Sequence, residues 1–200
     1  MGEQPLSNQE LKWQQTWKKY NPDWELILWN DERLKTINII NEKYLDSCDN
    51  YSMKSDILRF DILYQFGGVY VDTDFECLKN LDPFLSEKDF VICKQIPERQ
   101  HGAKICGAFM AANKFNQHIG KLVNGIADRS VSHKDKNAVL RYGPFYLQDN
   151  IPEELVLDSK YVYPFMWYEA KGISRNHTNL KQAFPESFAV HHWNGSWSGK

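Results

Sequence analysis

The segment that most constrains the fold is Gly67–Asp74, where two glycines precede an apolar run and two carboxylates. The glycines are typical of a helix end, and Val69–Val71 has the composition of a buried strand. Because side chains alternate in an extended backbone, Asp72 and Asp74 are expected on one face where this strand ends. Carboxylates so placed can share Mg²⁺ or Mn²⁺, although two solvated acids opening a loop are the simpler alternative.

The residues just before these glycines predict a core helix over Ser55–Phe66, with its first residue as N-cap and Gly67 at its C-terminal end. Asp56 and Arg59 lie three residues apart, so their side chains share one face of this helix. An ordinary surface ion pair would explain that spacing. The helix is only one tight turn away from the two acids, however, so the pair can also fold back onto the same cleft.

Three parts of the chain resemble glycosyltransferase family 32, relatives of fungal outer-chain mannosyltransferases, bacterial capsule glycosyltransferases and, more distantly, clostridial glucosylating toxins. The most specific part is Ser55–Leu85, which contains the glycines and acids described above. Trp17–Trp24 with Leu28–Trp29 is similar to the family's early helix and second strand, and Val190–Trp197 is similar to its closing motif. The resemblance is weakest over residues 121–160.

The resemblance implies a GT-A fold, a Rossmann-like α/β layer with a mixed, mainly parallel sheet that binds a nucleotide sugar. It also implies retention of the anomeric configuration, a UDP- or GDP-sugar donor, a saccharide or glycoconjugate acceptor and a role in polysaccharide biosynthesis. Mn²⁺ or Mg²⁺ is the expected cofactor. A divalent cation would stabilise the negative charge that builds up on the leaving diphosphate as the glycosidic bond breaks.

The resemblance also assigns roles to the residues of the central segment. Asp74 is expected to be a direct metal ligand, and Asp72 is expected to touch the donor ribose or a water on the metal. Asp56 and Arg59 match positions that hold the donor sugar. Asp72, Asp74 and Arg59 are therefore the expected catalytic residues.

The C-terminal motif is expected to complete this site. His191 and His192 are consecutive, so on a strand they point to opposite sides and only one is expected to reach the acids. The His-x-x-Gly spacing to Gly195 predicts that His192 is the metal ligand. Ser196 and Trp197 match residues that close over the donor diphosphate.

The sequence departs from the family pattern at three places. Family members begin with a strand of the type Ile-Pro-Lys-Ile-Ile-His, whereas Met1–Leu6 resembles the turn after it, so the first N-terminal strand is expected to be missing. Gly107 stands where the family often has Asn, and Tyr142 precedes Gly143-Pro144 where Thr is more usual. These differences leave the donor sugar unassigned.

Two other functions are compatible with parts of the pattern. One is a catalytically silent module that binds a carbohydrate or nucleotide sugar, left by loss of the first strand. The other is a phosphohydrolase in which Asp72 is phosphorylated. That chemistry usually requires Thr or Val two residues after the second Asp, where this chain has Glu76, and it leaves the C-terminal motif unexplained.

Length and composition bound the remaining possibilities. The 200 residues predict one domain spanning 1–200. A net charge of −2 gives no basic field for nucleic-acid binding. The sequence has no apolar run of about 18 residues, the length that would predict a membrane segment. A cytoplasmic protein is therefore expected from the sequence as given. Four cysteines without Cys-x-x-Cys spacing predict reduced thiols rather than a zinc site or disulfides.

Periodicity predicts alternating helices and strands along the rest of the chain. Helices are expected near Asn8–Tyr20, Asp31–Asn41 and Asn116–Ala127. Strands are expected near Trp24–Trp29, Phe90–Cys93, Ile105–Ala112, Val162 and Ala189, and a surface loop over Asp128–Asn137. Trp13, Trp17, Trp24 and Trp29 are expected to pack in the core rather than on a sugar.

Overall fold

The structure, a computed structural model, describes residues 5–95, 104–132, 138–176 and 179–194. Its helices are α1 Asn8–Tyr20, α2 Asp31–Leu34, α3 Glu42–Leu45, α4 Tyr51–Phe66, α5 Asp82–Leu85, α6 Gln117–Ser132, α7 Ala138–Arg141, α8 Pro144–Asn150, α9 Ala170–Asn176 and α10 Leu180–Ala183. Its strands are β1 Gly68–Val71, β2 Phe75–Cys77, β3 Phe90–Lys94, β4 Ile105–Ala112, β5 Val156–Leu157 and β6 Ala189–His191.

The strands form a four-stranded sheet of order β1-β4-β3-β5 and a two-stranded sheet of β2 and β6. The β1–β4, β4–β3 and β2–β6 pairs are antiparallel, and only the β3–β5 pair is parallel. The α/β class and the mixed sheet are therefore confirmed, whereas the expectation of a mainly parallel sheet is wrong for the described residues. Parallel neighbouring strands require a crossover connection, usually a helix. Most neighbouring strands in this sheet are antiparallel and do not need one.

Local capping explains why the two helices that flank the site begin and end where they do. In α1, Ser7 and Glu10 form a reciprocal capping box. The N-cap of α4 is Asn50, whose side chain accepts from the Met53 N–H, so the prediction of Ser55 as N-cap is wrong by five residues. It ends as expected at Gly67, which has φ 70°, and a Cβ there would lie 2.6 Å from a backbone nitrogen of the neighbouring turn.

Strand β4 is buried along its whole length and lies between two core clusters. One cluster joins the sheet to α4, α6 and α8 and includes Phe60, Ile92, Met110, Ile119 and Leu147. The other lies on the opposite face, against α1 and β2, and includes Trp17, Phe75, Phe84, Phe109 and Tyr163. The sheet is thus covered on both faces, and its first strand carries the acid-containing turn out of this packed layer.

Two expected strands are wrong because the segments have no ladder partner in the described part of the chain. Residues 24–29 run without strand hydrogen bonds and leave Trp24 and Leu28 partly exposed, so core packing is confirmed for Trp13 and Trp17 but not for Trp24. The segment around Val162 follows a 3₁₀ turn. The outer edge of β1 likewise has no neighbouring strand among the described residues.

A groove lies between α1, residues 26–28 and the end of β1, and a second groove extends toward Trp24 and Leu81. The absence of the first strand remains a prediction, as does the single domain. In the described residues no helix is long and apolar enough to cross a membrane.

The other elements were predicted with mixed success. Helix α1 and strand β4 match the expected ranges, and β3 is one residue longer than expected. The helix expected over Asp31–Asn41 ends at Leu34, and α6 extends through Ser132 into the expected loop, whose remainder at 133–137 lies outside the described residues. All four cysteines are free thiols, three of them buried.

Candidate active site

The two acids lie in a turn that links the two sheets, rather than on a continuous strand. The Asp72 N–H donates to the Ala108 carbonyl at 2.9 Å, which extends the β1–β4 ladder by one residue. The Phe75 N–H then donates to the Asp72 carbonyl at 3.2 Å and closes the turn before β2. The acids therefore converge, as expected, although turn geometry rather than strand alternation brings them together.

His191 meets this turn from strand β6. Its Nε2 atom lies 3.0 Å from Oδ1 of Asp74, and the Asn194 N–H donates to Oδ2 of the same carboxylate at 2.9 Å. Ligand atoms of Asp72, Asp74 and His191 all lie within 4.8 Å of one another. This is the only such cluster of three potential metal-binding side chains in the ranges that the structure describes.

His192 points away from the acids, which corrects the expectation that it would face them in preference to His191. Its Nε2 atom lies 3.0 Å from Oε2 of Glu76, and its ring stacks on Trp13 with centroids 4.2 Å apart. The register of the β2–β6 ladder explains this result, because Phe75 pairs directly with His191 and the two share a face. His192 therefore lies on the opposite face.

Arg59 of α4 contacts the turn that carries Asp72 and Asp74, as its spacing from Asp56 on the helix allowed. Its Nη2 atom lies 3.1 Å from Oδ1 of Asp56 and 3.5 Å from Oδ1 of Asp72. Asp56 and Arg59 are only 5% and 6% exposed, so this is a buried ion pair and not a surface one. Sequence spacing thus located both residues at the site.

Two residues that the sequence analysis did not assign to the site support this arrangement. The Tyr70 hydroxyl donates to Oδ1 of Asp72 at 2.9 Å, and the Arg59 guanidinium lies 4.9 Å from the centre of the Tyr70 ring. A Cβ on Gly107 would lie 2.7 Å from Nη1 of Arg59, so the glycine leaves room for the guanidinium. Tyr70 could have been found from sequence, because it lies two residues before Asp72.

The carboxylates differ in how readily they ionise. Burial raises the pKa of Asp56 to about 7, with Arg59 opposing the shift and Asp72 adding to it. Burial also raises the pKa of Asp72, and Arg59 opposes that shift. Burial likewise disfavours ionisation of Asp74, but the hydrogen bond and charge of His191 outweigh it and hold the pKa of Asp74 below its usual range. Asp74 is thus the carboxylate that most readily carries a negative charge.

The donor set of this cluster fits a divalent cation. Two carboxylates and one imidazole suit Mn²⁺, and three protein ligands would leave coordination positions for diphosphate oxygens. Nδ1 of His191 is buried and has no hydrogen-bond partner in the described ranges, so no second bond fixes the ring to its present position. Gly195, Ser196 and Trp197, which were expected at this site, lie outside the described residues.

Comparison with protein families identifies the region that carries this turn. Residues 7–91 match the family described as "Glycosyltransferase sugar-binding region containing DXD motif". Asp72-Thr73-Asp74 lies within the matched residues and has the pattern of that motif. The resemblance found in the sequence is therefore confirmed.

Several of the similar proteins are named as glycosyltransferases. "Inositol phosphoceramide mannosyltransferase 1" of Schizosaccharomyces pombe is 37% identical over 38% of this chain and 26% of that protein. "Mannosyl phosphorylinositol ceramide synthase SUR1" of Saccharomyces cerevisiae is 39% identical over 36% of this chain and 20% of that protein. The matched region thus spans about a quarter or less of these yeast proteins. An uncharacterized glycosyltransferase of Acanthamoeba polyphaga mimivirus is 25% identical over 85% of this chain and 72% of that protein.

The fold is also similar to a solved structure. "PaToxG Glycosyltransferase" superposes with a TM-score of 0.56 and 18% identity, covering 77% of this chain and 66% of that one. At this identity the likeness concerns the fold alone. It confirms the glycosyltransferase type of α/β fold for most of the chain.

Proposed function

We propose that this chain is a metal-dependent glycosyltransferase, which moves a sugar from a nucleoside-diphospho sugar to a hydroxyl group of a saccharide or glycoconjugate and retains the anomeric configuration. The observation that carries the proposal is the convergence of Asp72, Asp74 and His191 within 4.8 Å, with both acids inside the region that matches a sugar-binding family. The yeast relatives named as mannosyltransferases make mannose the first sugar to test.

Asp72, Asp74 and His191 would hold the divalent cation. When bound, a divalent cation would neutralise negative charge on the departing diphosphate, a contribution of several kcal/mol in comparable sites. Tyr70 keeps one oxygen of Asp72 occupied at 2.9 Å, which orients the carboxylate so that its other oxygen is available. This orientation comes from a rigid strand and costs no reorganisation during the reaction.

Arg59 and Asp56 would contact the donor sugar. Their side chains are 3.1 Å apart and almost completely buried, so their positions are set before substrate arrives. Arg59 also contacts Asp72, and it would bring a positive charge close to the bond that breaks. Loss of Arg59 would therefore weaken use of the donor more than binding of the metal.

Retention is proposed without a covalent intermediate. Asp56 and Asp72 are both held by Arg59, and Asp74 is held by His191. A carboxylate engaged in this way is a weak nucleophile toward an anomeric carbon. The acceptor hydroxyl would then attack from the face that the diphosphate leaves and give its proton to the departing diphosphate oxygen, so that one step accounts for retention. The same contacts argue against phosphorylation of Asp72 by a phosphohydrolase mechanism.

The proposal is tested by calorimetric titration of the purified chain with GDP and UDP, each with Mn²⁺ and with EDTA. Binding that requires Mn²⁺ would support the site and identify the base. Transfer is then measured with the matching nucleotide-mannose and a panel of saccharide and phosphoinositol acceptors, and product anomers are assigned by NMR. A folded chain that binds neither nucleotide would overturn the proposal. Metal-linked binding without transfer or donor hydrolysis would instead favour a catalytically silent binding module.

A further inference from the structure

Two arginines are buried on the α7 side of the molecule, and their surroundings differ. Arg129, 9% exposed, donates to the carbonyls of Leu140 and Arg141 and forms a 2.9 Å ion pair with Asp149. Arg141 is equally buried at 8% exposed, but it has no ion pair with an acid in the described ranges. Its Nε atom is buried without a hydrogen-bond partner there. A buried cation in this state is costly unless an anion accompanies it.

The start of α4 lies beside Arg141 and is also electropositive. Nη1 of Arg141 donates to the Ser47 carbonyl at 3.2 Å, three residues before the N-cap Asn50. Both Arg141 and Lys54 are close enough to the Cys48 thiol to favour its charged form. The N-terminus of this 16-residue helix carries the positive end of its dipole. A helix N-terminus, a buried guanidinium and a lysine together are unfavourable unless they share a negative partner.

Protein acids only partly balance this positive charge: Asp56 and Asp49 also act on the Cys48 thiol, but Asp56 is paired with Arg59. Asp49 and Asp46 lie on the loop before α4, and both side chains are exposed to solvent. Neither forms an ion pair with Arg141 in the described part of the chain. The first turn of α4 is capped by Asn50 at the Met53 N–H only, and Tyr51 at its start is 57% exposed. The exposed first turn of α4 and the buried Arg141 side chain therefore lie close to each other, on either side of the loop at Ser47.

We propose that Arg141, Lys54 and the first turn of α4 form a binding site for a phosphate group, either a monoester or a diester. The phosphate would complete the hydrogen bonding of the buried guanidinium. It would also accept hydrogen bonds from backbone N–H groups in the first turn of α4. Arg is suited to this task because its planar fork matches two phosphate oxygens.

The position of the site suggests which substrate carries the phosphate, a step that rests on the proposed function. Asp56 follows Asn50 by six residues on α4, about 9 Å along the helix axis. A phosphate bound at the start of α4 would therefore place the remainder of the same molecule next to the donor-sugar residues. The site accordingly fits a phosphorylated acceptor and is separate from the donor diphosphate at Asp74.

Cys48 provides a direct reporter for the site. It is half-buried, whereas the other three cysteines are buried, so a neutral maleimide is expected to label it first. Burial raises the pKa of the Cys48 thiol to about 11, with Arg141 and Lys54 opposing the shift. Bound phosphate would cover the thiol and cancel the favourable charges, and both effects slow labelling.

The experiment measures the rate of Cys48 labelling by mass spectrometry during titration with inorganic phosphate, against sodium chloride at equal ionic strength. We expect phosphate to slow labelling at least threefold in the natural sequence and in Arg33→Gln, which removes an exposed arginine elsewhere. We expect no phosphate effect in Arg141→Gln and a reduced effect in Arg141→Lys. If Arg141→Gln does not fold by circular dichroism, Lys54→Gln and Arg141→Lys replace it and should weaken the effect.

An equal phosphate effect in Arg141→Gln or Arg141→Lys and the natural sequence would overturn the site, as would no effect in the natural sequence. Glycerophosphoinositol and vesicles containing phosphatidylinositol are then compared with inorganic phosphate. Tighter binding of the soluble ester or of the vesicles would distinguish a free phosphate ester from a lipid headgroup. Because the assay contains neither metal nor donor, its result is independent of whether GDP or UDP binds at Asp74.

Discussion

Nε2 of His191 lies 3.0 Å from Oδ1 of Asp74, although 117 residues separate them in the sequence. The contact closes the site from the C-terminal strand β6, on the opposite side from Arg59 of α4. Helix α4 and the turn after β1, which are close in sequence, thus meet the distant strand β6 at one group of carboxylates. Of the two adjacent histidines, His191 contacts this group, whereas His192 contacts Glu76.

The two adjacent histidines should behave differently when each is replaced by alanine. His191→Ala removes a contact with Asp74 and a potential metal ligand, so we expect Mn²⁺-dependent binding of the nucleotide to weaken at least tenfold, about 1.4 kcal/mol. His192→Ala removes stacking on Trp13 and the contact with Glu76, so stability should fall while affinity stays within about threefold. Calorimetry and urea unfolding measure both properties. The reverse pattern of effects would contradict the placement of His191 at the site.

Asp74→Asn tests the role of the most readily ionised carboxylate. The amide is nearly the same size, so packing is kept, but it cannot supply the same negative charge to a cation. We expect metal-linked nucleotide binding and transfer to be lost, with a decrease in unfolding free energy of about 1 to 3 kcal/mol from the lost interaction with His191. Far-UV circular dichroism should remain unchanged. Transfer at the natural rate would remove Asp74 from the proposed metal site.

Gly107→Ala should act on the site through Arg59. The new methyl group would lie 2.7 Å from Nη1, so the guanidinium must shift from its present position beside the acids. We expect donor binding to weaken about tenfold or more, and stability to fall by about 1 to 3 kcal/mol from overpacking. Gly120→Ala is the matched control, because its Cβ would press on the Tyr64 ring at 3.0 Å, away from the site. Similar losses of donor affinity in both variants would show that Arg59 is not the cause.

The pKa of Asp56 predicts a pH dependence of stability in metal-free protein. Burial raises this pKa to about 7 from an ordinary value of 3.8, so the folded state keeps a proton that the unfolded chain has already released. The resulting contribution to stability is present below about pH 4 and is lost as pH rises through about 7. Asp56→Asn should remove it. Urea unfolding of both proteins from pH 4.5 to 8 gives the difference between the two curves, and parallel curves would contradict the assignment.

Much of the site could be predicted because its parts are local in sequence. The spacing of Asp56 and Arg59 on one helix face is fixed by helix geometry, and their ion pair forms as that spacing allows. Gly67 at the end of α4 and the full range of β4 follow from residue type and periodicity alone. These features depend on neighbours within a few residues, which the sequence shows directly.

The remaining features depend on contacts between distant segments. Whether His191 or His192 faces the acids is set by the register of β6 on β2, and a shift of one residue would exchange them. Residues 24–29 have the composition of a strand but no partner in the described ranges, and composition does not supply a partner. The antiparallel direction of β1 and β4 likewise depends on the path between them. The burial of Arg141 beside the start of α4 likewise has no local signature in the sequence.

The outer edge of β1, which has no strand partner among the described residues, has a consequence for how the protein behaves in solution. About half of the backbone polar groups of an edge strand point away from its one partner and can pair with another polypeptide. Among the described residues, the only strand that pairs with Gly68–Val71 is β4. The turn that carries Asp72 and Asp74 follows immediately. Any polypeptide that extended the sheet there would lie directly against the carboxylates, so self-association at high concentration and obstruction of the site would be the same event.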